Sequence, residues 1–177
     1  MLNIEPEIIY TERLKLIPFK LQAIDYLLRS DYSEASQAQG LLFSFELVSN
    51  LDKHFLEIQL KRIEQNPKML SWCARLIVDK NDVVIGHCGF HGPPKVIGRA
   101  ELGYTVFEPY RRNGFATEAA NGLINYARNE GEHEIIATVK PNNSDSISIL
   151  SSLGFNKIGE EIDERDGLEL VYQLSLI

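Results

Sequence analysis

A six-residue run in the second half of the chain, Arg111-Arg112-Asn113-Gly114-Phe115-Ala116, constrains the fold more than any other segment. It separates an alternating, strand-like segment from a long helical segment that continues from Thr117. A strand that turns tightly into a helix directs several backbone N–H groups to one place, where the helix dipole adds positive potential. Gly114 permits a left-handed backbone or a close ligand approach, and Ala116 is small. The run therefore predicts an anion-binding turn, most simply for phosphate.

Composition narrows the class of protein. A length of 177 residues, with 44% hydrophobic and 24% charged residues, indicates a single globular domain over residues 1–177. The formal net charge of −7 argues against nucleic-acid binding and suits a cationic partner such as an amine. The sequence has neither an apolar run long enough for a membrane span nor a signal-peptide pattern, so we expect a cytoplasmic protein. Cys73 and Cys88 lack metal-site spacing and are expected to be buried thiols.

Hydrophobic periodicity divides the chain into strands and helices. The predicted strands cover residues 8–18, 70–78, 83–90, 99–107, 134–139, 155–161 and 168–174. One predicted helix begins at Pro18, and three others cover residues 51–66, 114–129 and 143–153. Residues 33–40 fit either a helix or a loop. Gly103, inside a strand, indicates a bulge or a close backbone approach. The order of elements predicts a mixed α/β domain whose front half is antiparallel.

Three segments form a combination more specific than any one of them. The turn has the pattern Q/R-x-x-G-x-G/A, matched by Arg111, Gly114 and Ala116, and the strand before it reads Glu101-Leu102-Gly103-Tyr104. Further on, Asn143-x-x-Ser146 precedes Ile149-Leu150-Ser151-Ser152-Leu153-Gly154-Phe155. Together with residues 11–18, these segments resemble the GCN5-related N-acetyltransferase (GNAT) superfamily, in particular its ribosomal-protein N-terminal acetyltransferase branch. The resemblance implies an acyl-CoA N-acyltransferase fold, a twisted mixed sheet of six or seven strands with helices on both faces.

The same resemblance implies acetyl-CoA as co-substrate, no metal, and a role for each segment. The backbone N–H groups of Arg112, Asn113, Gly114, Phe115, Ala116 and Thr117 would bind the pyrophosphate of coenzyme A. Arg111 and Arg112 would add positive charge or remain solvated. The main chain of Val106 and Phe107 would pair with the pantetheine amides, and an N–H near Val106 would stabilise the oxyanion. Asn143 would contact coenzyme A or cap the following helix.

Acetyl transfer to an amine needs a group that takes the amine proton and a group that stabilises the leaving thiolate. Glu101 is the candidate base, with a salt-bridged strand carboxylate as the alternative, and His91 is a second candidate. In the family, the candidate acid for the leaving thiolate is often a tyrosine at the position of Ser151. This chain has no tyrosine there, so the family's assignment of the acid does not carry over. Ser146, Ser151 and Tyr104 are the remaining candidates for the residue that stabilises the leaving thiolate.

The acceptor is less constrained than the donor. A protein N-terminus, a polyamine, an amino acid or an aminoglycoside would each supply a primary amine, and direct attack in a ternary complex needs no covalent enzyme intermediate. Tyr32, Phe43 and Phe45 would line the acceptor pocket or cover the sheet. The alternative function is a non-catalytic acyl-CoA-binding or sensing module; a nucleotide-phosphate binder is disfavoured because the turn lacks a P-loop ending. The terminal hairpin could offer an edge strand for a homodimer or remain covered in a monomer.

Overall fold

The computed structural model describes residues 6–43, 49, 51–92, 94 and 99–177. In the first part of the chain the elements are β1 (Ile9–Tyr10), β2 (Leu14–Pro18), α1 (Leu21–Leu28), α2 (Tyr32–Gln39), α3 (Lys53–Gln65) and a 3-10 helix (Pro67–Ser71). The later elements are β3 (Arg75–Asp79), β4 (Val84–Phe90), β5 (Leu102–Val106), a 3-10 helix (Glu108–Tyr110), α4 (Phe115–Asn129), β6 (Glu134–Val139), α5 (Ser144–Ser152), β7 (Asn156–Asp163) and β8 (Gly167–Ser175).

The strands form two antiparallel sheets that meet at one point. The first has the order β1-β2-β3-β4-β5, and the second has the order β6-β8-β7, with β7 at its outer edge. A single parallel bridge joins Glu101 to Ile136, where the Ile136 N–H donates to the Ala100 carbonyl at 2.8 Å. Within the described strands no further pairing connects β5 to β6. A gap therefore opens between β5 and β6 beyond Glu101.

Helices cover both faces of the first sheet, since its strands bury side chains on both sides. Leu16 and Ile77 belong to the core under α4, whereas Leu76 belongs to the core under α1 and α3. Gly122 lets α4 lie close to the sheet, because a Cβ there would be 3.1 Å from Leu16 Cδ1. The predicted mixed α/β fold with helices on both faces is confirmed. The described residues form eight strands rather than the predicted six or seven, because the first predicted strand divides into β1 and β2.

Three boundary predictions are wrong. The first predicted strand is two strands, because a turn at Thr11, whose N–H donates to the Leu14 carbonyl at 2.9 Å, separates β1 from β2. Pro18 ends β2 rather than opening a helix; α1 begins at Leu21. Residues 67–71 form a 3-10 helix before β3, since a short apolar run does not by itself distinguish a helical turn from a buried strand.

The structure also decides several predictions that the sequence left open. Residues 33–40 lie within α2 and its left-handed cap Gly40. Gly103 pairs in register with Gly89, so the predicted bulge is absent from β5; the register shift in this sheet lies between β3 and β4. Cys73 and Cys88 are free and buried, as predicted, while Phe45 lies outside the described residues. In the part of the chain that is described, none of the helices combines the length and apolarity that a membrane crossing requires.

Candidate active site

The turn before α4, here called the cradle (residues 111–117), has the backbone of an anion site. Gly114 precedes α4 with a left-handed φ of 76°, and no side chain caps this helix. The first N–H groups of an α-helix have no partner within the helix, so those of Phe115, Ala116 and Thr117 face outward. Arg112 also has a positive φ, 64°, which is unusual for a residue with a side chain. The predicted strand–turn–helix and the positive φ at Gly114 are confirmed.

Hydrogen bonds from two side chains, those of Asn113 and Arg13, fix the direction of the carbonyl groups in and next to the cradle. The Asn113 amide donates to the carbonyls of Tyr110 at 3.1 Å and Arg111 at 3.0 Å. The Asn113 carbonyl accepts from the Arg13 guanidinium at 3.0 Å. In a planar trans peptide, a carbonyl and the next N–H point in opposite directions. The N–H groups of Arg112 and Gly114 therefore point away from these contacts.

An ion pair ties the cradle to the start of β2. Arg13 Nε lies 2.6 Å from Glu118 Oε2, and the Arg13 main-chain N–H and the Thr11 hydroxyl both donate to Glu118 Oε1 at 2.6 Å. Burial alone would raise the pKa of Glu118, but the hydrogen bonds from Thr11 and Arg13 outweigh it and lower the pKa. The Arg13 guanidinium also lies 4.8 Å from the centre of the Phe115 ring. Sequence reasoning missed Arg13 and Glu118 as a pair, since 105 positions separate them.

A cavity of about 310 Å³ lies between the cradle and α5. Arg111 and Arg112 line it, and Arg111 Nε also donates to the Val106 carbonyl at 2.9 Å. Asp145 is the single carboxylate among the described residues that line it. Two guanidinium groups and an uncapped helix N-terminus outweigh one carboxylate, so the donor set fits a pyrophosphate.

The gap between β5 and β6 is lined by the same two elements as this cavity, since residues of β5 and α5 line both spaces. It encloses about 240 Å³, and its lining includes Gly103, Tyr104, Thr138, Asn143, Ser146 and Glu169. The Phe107 N–H donates to the Ile85 carbonyl of the neighbouring chain segment at 2.9 Å, and bonding alternates along an antiparallel pair. The main-chain groups of Val106 and Tyr104 consequently face the gap rather than β4.

The prediction that the Phe107 main chain pairs with pantetheine is corrected by this pattern. Its N–H donates to Ile85, and its carbonyl accepts from the Tyr110 N–H at 2.9 Å. Its side chain is buried in the core. Of the two predicted main-chain contacts, only Val106 faces the gap. The main chain of Tyr104, which was not predicted as a contact, faces the gap as well.

The first turn of α5 forms one wall of the gap. The Asn143 side chain accepts a hydrogen bond from the Ser146 N–H at 3.1 Å and caps the helix, as its spacing predicted. The Tyr104 hydroxyl lies 3.5 Å from the Ser146 carbonyl oxygen. Burial raises the pKa of Tyr104, so its phenol is protonated at neutral pH. Glu169, which the sequence did not single out, also lines the gap, and burial raises its pKa.

Glu101 is buried at the point where the two sheets meet, with a relative exposure of 6%. Its carboxylate lies 3.2 Å from His91 Nδ1 and 2.8 Å from Arg99, and it accepts from the Thr138 hydroxyl at 3.0 Å. Burial alone would raise its pKa, but these three partners together lower the pKa to about 2. Arg99 also pairs with Glu161 of β7 at 3.0 Å. Glu101 is therefore an ionised, fully partnered carboxylate.

His91 stands between Glu101 and the surface. Its Nδ1 faces Glu101, and a Cβ placed on Gly103 would lie 3.7 Å from its Nε2. The Arg62 guanidinium on α3 donates to the His91 carbonyl. The ring is thus oriented by a carboxylate at one nitrogen, while its other nitrogen faces the middle of β5. A base oriented by a third group is a common arrangement in catalytic sites.

A second cavity of about 240 Å³ lies on the His91 side of β5. Gly103 and Tyr104 line both this cavity and the gap, so only β5 separates the two spaces. Its wall includes Phe55 and His87, whose rings stack with centres 4.9 Å apart. Burial lowers the pKa of His87 to about 4, so its ring is neutral at physiological pH. This space is called the acceptor-side cavity below.

Tyr32 and Phe43, which were expected to line an acceptor pocket or to cover the sheet, do not line the acceptor-side cavity. Tyr32 and Phe43 line a separate, shallow depression near Gly40. Phe55, which lines the acceptor-side cavity, lies in α3, where the sequence predicts a helix over residues 51–66 and no site. Helical periodicity cannot distinguish a core aromatic from one that also faces a cavity.

A sequence model of the Acetyltransferase (GNAT) domain matches residues 13–156, which include the cradle, both walls of the gap and Glu101. The chain belongs to the GNAT acetyltransferase family. The prediction of an acetyl-CoA-dependent N-acetyltransferase, made from the cradle and the Asn143 segment, is thereby confirmed. GNAT enzymes use acetyl-CoA, whose pyrophosphate fits the N–H and guanidinium groups at the cradle.

Similar proteins support the same assignment. An uncharacterized N-acetyltransferase, p20 of Bacillus licheniformis, is 31% identical over 188 residues, covering 97% of this chain and 96% of that protein. The fold is shared with a putative ribosomal-protein-serine acetyltransferase from Vibrio cholerae, with a TM-score of 0.67, 16% identity, and coverage of 97% and 98% of the two chains. It is also shared with the microcin C7 self-immunity acetyltransferase MccE in complex with acetyl-CoA and AMP, with a TM-score of 0.63, 17% identity and coverage of 93% of each chain.

Proposed function

We propose that this chain transfers the acetyl group of acetyl-CoA to a primary amine, by direct attack of the amine on the thioester. The observation that carries the proposal is that β5 and α5 line both the cavity at the cradle and the gap, so that a phosphate site and a slot beside β5 lie along the same two elements. The cradle N–H groups, with Arg111 and Arg112, would bind the pyrophosphate. The main chain of Val106 and Tyr104 would pair with the pantetheine amides, as an added strand does.

The amine is proposed to enter through the acceptor-side cavity and to meet the thioester at the edge of β5 beside Gly103, which has no side chain and lines both spaces. The His91 Nε2 faces this position, and an imidazole nitrogen can act as a general base. Glu101, with its pKa of about 2, is a weak proton acceptor by itself but stabilises a protonated imidazole. We therefore assign the amine proton to His91, with Glu101 acting through it.

The leaving thiolate needs a hydrogen-bond donor. The Tyr104 phenol and the Ser146 hydroxyl lie on the α5 side of the gap, and both can donate. A thiol has a pKa near 8.5, so a hydrogen bond rather than complete protonation is sufficient at this step. The main-chain N–H of Tyr104, which adjoins Gly103 and faces the gap, is proposed to stabilise the oxyanion.

The Vibrio cholerae protein is named a putative ribosomal-protein-serine acetyltransferase, a name that indicates a protein acceptor. A protein N-terminus is accordingly one candidate acceptor for this chain, beside small-molecule amines. Calorimetry with acetyl-CoA and with ATP, followed by thiol release in the presence of a panel of amines, tests the proposal. Binding of acetyl-CoA with turnover on at least one amine supports it. Tight binding without turnover on any amine would indicate a non-catalytic acyl-CoA-binding module instead.

A further inference from the structure

The acceptor-side cavity has an uncharged wall. Phe55 from α3 stacks on His87, and the pKa of His87, lowered by burial to about 4, leaves that ring without charge at neutral pH. Among the described residues that line this cavity, none carries a carboxylate or an ammonium group. The wall is therefore suited to an apolar group rather than to a second cation.

The opposite end of the cavity is polar. His91 lies there with Glu101 behind it, and Arg99 and the Thr138 hydroxyl contact the same carboxylate. An ammonium group can be received at this end and can lose its proton to the imidazole. An apolar wall next to it also disfavours the charged form of the amine, because burial lowers the pKa of an amino group.

The size of the cavity limits the group that can enter. A space of about 240 Å³ is smaller than the roughly 300–1,000 Å³ of typical drug-sized ligand pockets. It can hold one compact side chain or one aromatic ring, whereas a long polyamine or an aminoglycoside would have to leave most of its polar groups outside.

We infer that the preferred acceptor is a primary amine bearing one compact apolar or aromatic group a few bonds from the nitrogen. The apolar group lies against Phe55 and His87, and the amine lies at His91. Both an arylalkylamine and a peptide whose first residue is apolar have this chemistry. The inference rests on the proposed function, since it assigns a substrate class to the same site.

Matched acceptors test the inference. With wild-type protein and acetyl-CoA, thiol release is measured for 2-phenylethylamine and ethanolamine, which are both simple primary amines, and for spermidine. Two tripeptides that differ only in having Phe or Ser first separate the peptide source from the small-molecule source. We expect kcat/KM for the apolar member of at least one pair to exceed that of its polar partner by about tenfold or more. We also expect spermidine to be a poor substrate.

Two variants locate the preference in the molecule. Phe55→Ala is expected to remove most of the difference within the preferred pair while leaving the polar partner almost unchanged. Leu42→Ala is the control, because Leu42 is an exposed apolar residue that lines the separate depression near Gly40. It should leave the preference unchanged. Thermal melting of each variant checks that it is folded.

The outcomes separate this inference from the proposed function. If no amine or peptide is acetylated, the proposed function fails. If acetylation occurs with equal efficiency on apolar and polar partners, or if Phe55→Ala lowers both members of a pair equally in a folded protein, the substrate class inferred here is wrong. Because the wild-type panel needs no variant, a destabilised Phe55→Ala protein still leaves the inference open to refutation.

Discussion

The Nδ1 of His91 lies 3.2 Å from the carboxylate of Glu101, and the main-chain N–H of His91 donates to the Glu101 carbonyl at 2.9 Å. The two residues are therefore joined through both main chain and side chain at the end of the β4–β5 pair. This double link fixes the imidazole between the buried carboxylate and the acceptor-side cavity. It is the arrangement on which the proposed proton transfer depends.

Replacing the carboxylate should slow proton removal. Glu101→Gln is expected to lower kcat/KM at pH 7 by about 10²-fold, within the range that general-base catalysis contributes. The deficit should narrow as pH rises, because more of the amine is already neutral in solution. Profiles of kcat/KM against pH for wild type, Glu101→Gln and the exposed-residue control Glu64→Gln measure this. An unchanged profile in a folded Glu101→Gln protein would remove Glu101 from the mechanism.

The same carboxylate should make stability depend on pH. Its pKa of about 2 lies below the ordinary value of 4.5, so its ionised form stabilises the fold above pH 4.5. That contribution, on the order of 3 kcal/mol, is lost as the pH falls from 4.5 through about 2. Urea unfolding of wild type and Glu101→Gln should therefore show a difference in unfolding free energy that shrinks across this window. A difference that is independent of pH would contradict the prediction.

The left-handed glycine of the cradle can be tested against a matched glycine elsewhere. Gly114→Ala and Gly131→Ala replace residues with φ of 76° and 86°, so each should cost about 1–2 kcal/mol of stability. An added Cβ at Gly131 meets no heavy atom within 4 Å, whereas at Gly114 it lies 3.4 Å from Arg13. Calorimetry should show weaker coenzyme A binding for Gly114→Ala alone. Equal affinities for both variants would argue against the cradle as the pyrophosphate site.

The ion pair between Arg13 and Glu118 should support the cradle. Glu118→Gln weakens contacts to Arg13 and Thr11, and we expect a stability loss of about 1 kcal/mol with a several-fold increase in the Kd for coenzyme A. Asp82→Asn is the control, because it weakens an exposed pair with Lys15 that is remote from the cradle. That control should change neither quantity measurably. If Glu118→Gln binds coenzyme A with wild-type affinity, the tie between β2 and the cradle is structural only.

The leaving-group assignment predicts a loss in kcat without a loss in binding. Tyr104→Phe removes the phenol that faces Ser146, and kcat should fall by about tenfold while the Kd for coenzyme A stays the same. Ser146→Ala tests the second donor, and Ser151→Ala on the exposed side of α5 is the control for both. Steady-state rates together with calorimetry separate the two effects. Wild-type kcat in the Tyr104→Phe, Ser146→Ala double variant would exclude both residues as donors.

Much of the proposed donor site was predictable from the sequence because its determinants are local. Gly114 permits a positive φ, and small residues follow it into α4, so the turn can be read within a few positions. Asn143 caps α5 through the N–H of Ser146, three positions away. Alternation and helical period also located most strands and helices. These signals depend on backbone sterics and hydrogen bonds between near neighbours, which the sequence states directly.

The tertiary structure decided what depends on residues far apart in the chain. Only the pairing of β4 with β5 shows that the Phe107 main chain is already occupied and that Glu101 meets His91. Only the packing of α3 against β4 places Phe55 on His87 and forms the acceptor-side cavity. The sequence by itself thus determined the family and the acetyl donor, whose proposed pyrophosphate site is a short continuous turn. The acceptor side is assembled from separate elements, and the register and packing that join them are set by long-range contacts that no local pattern encodes.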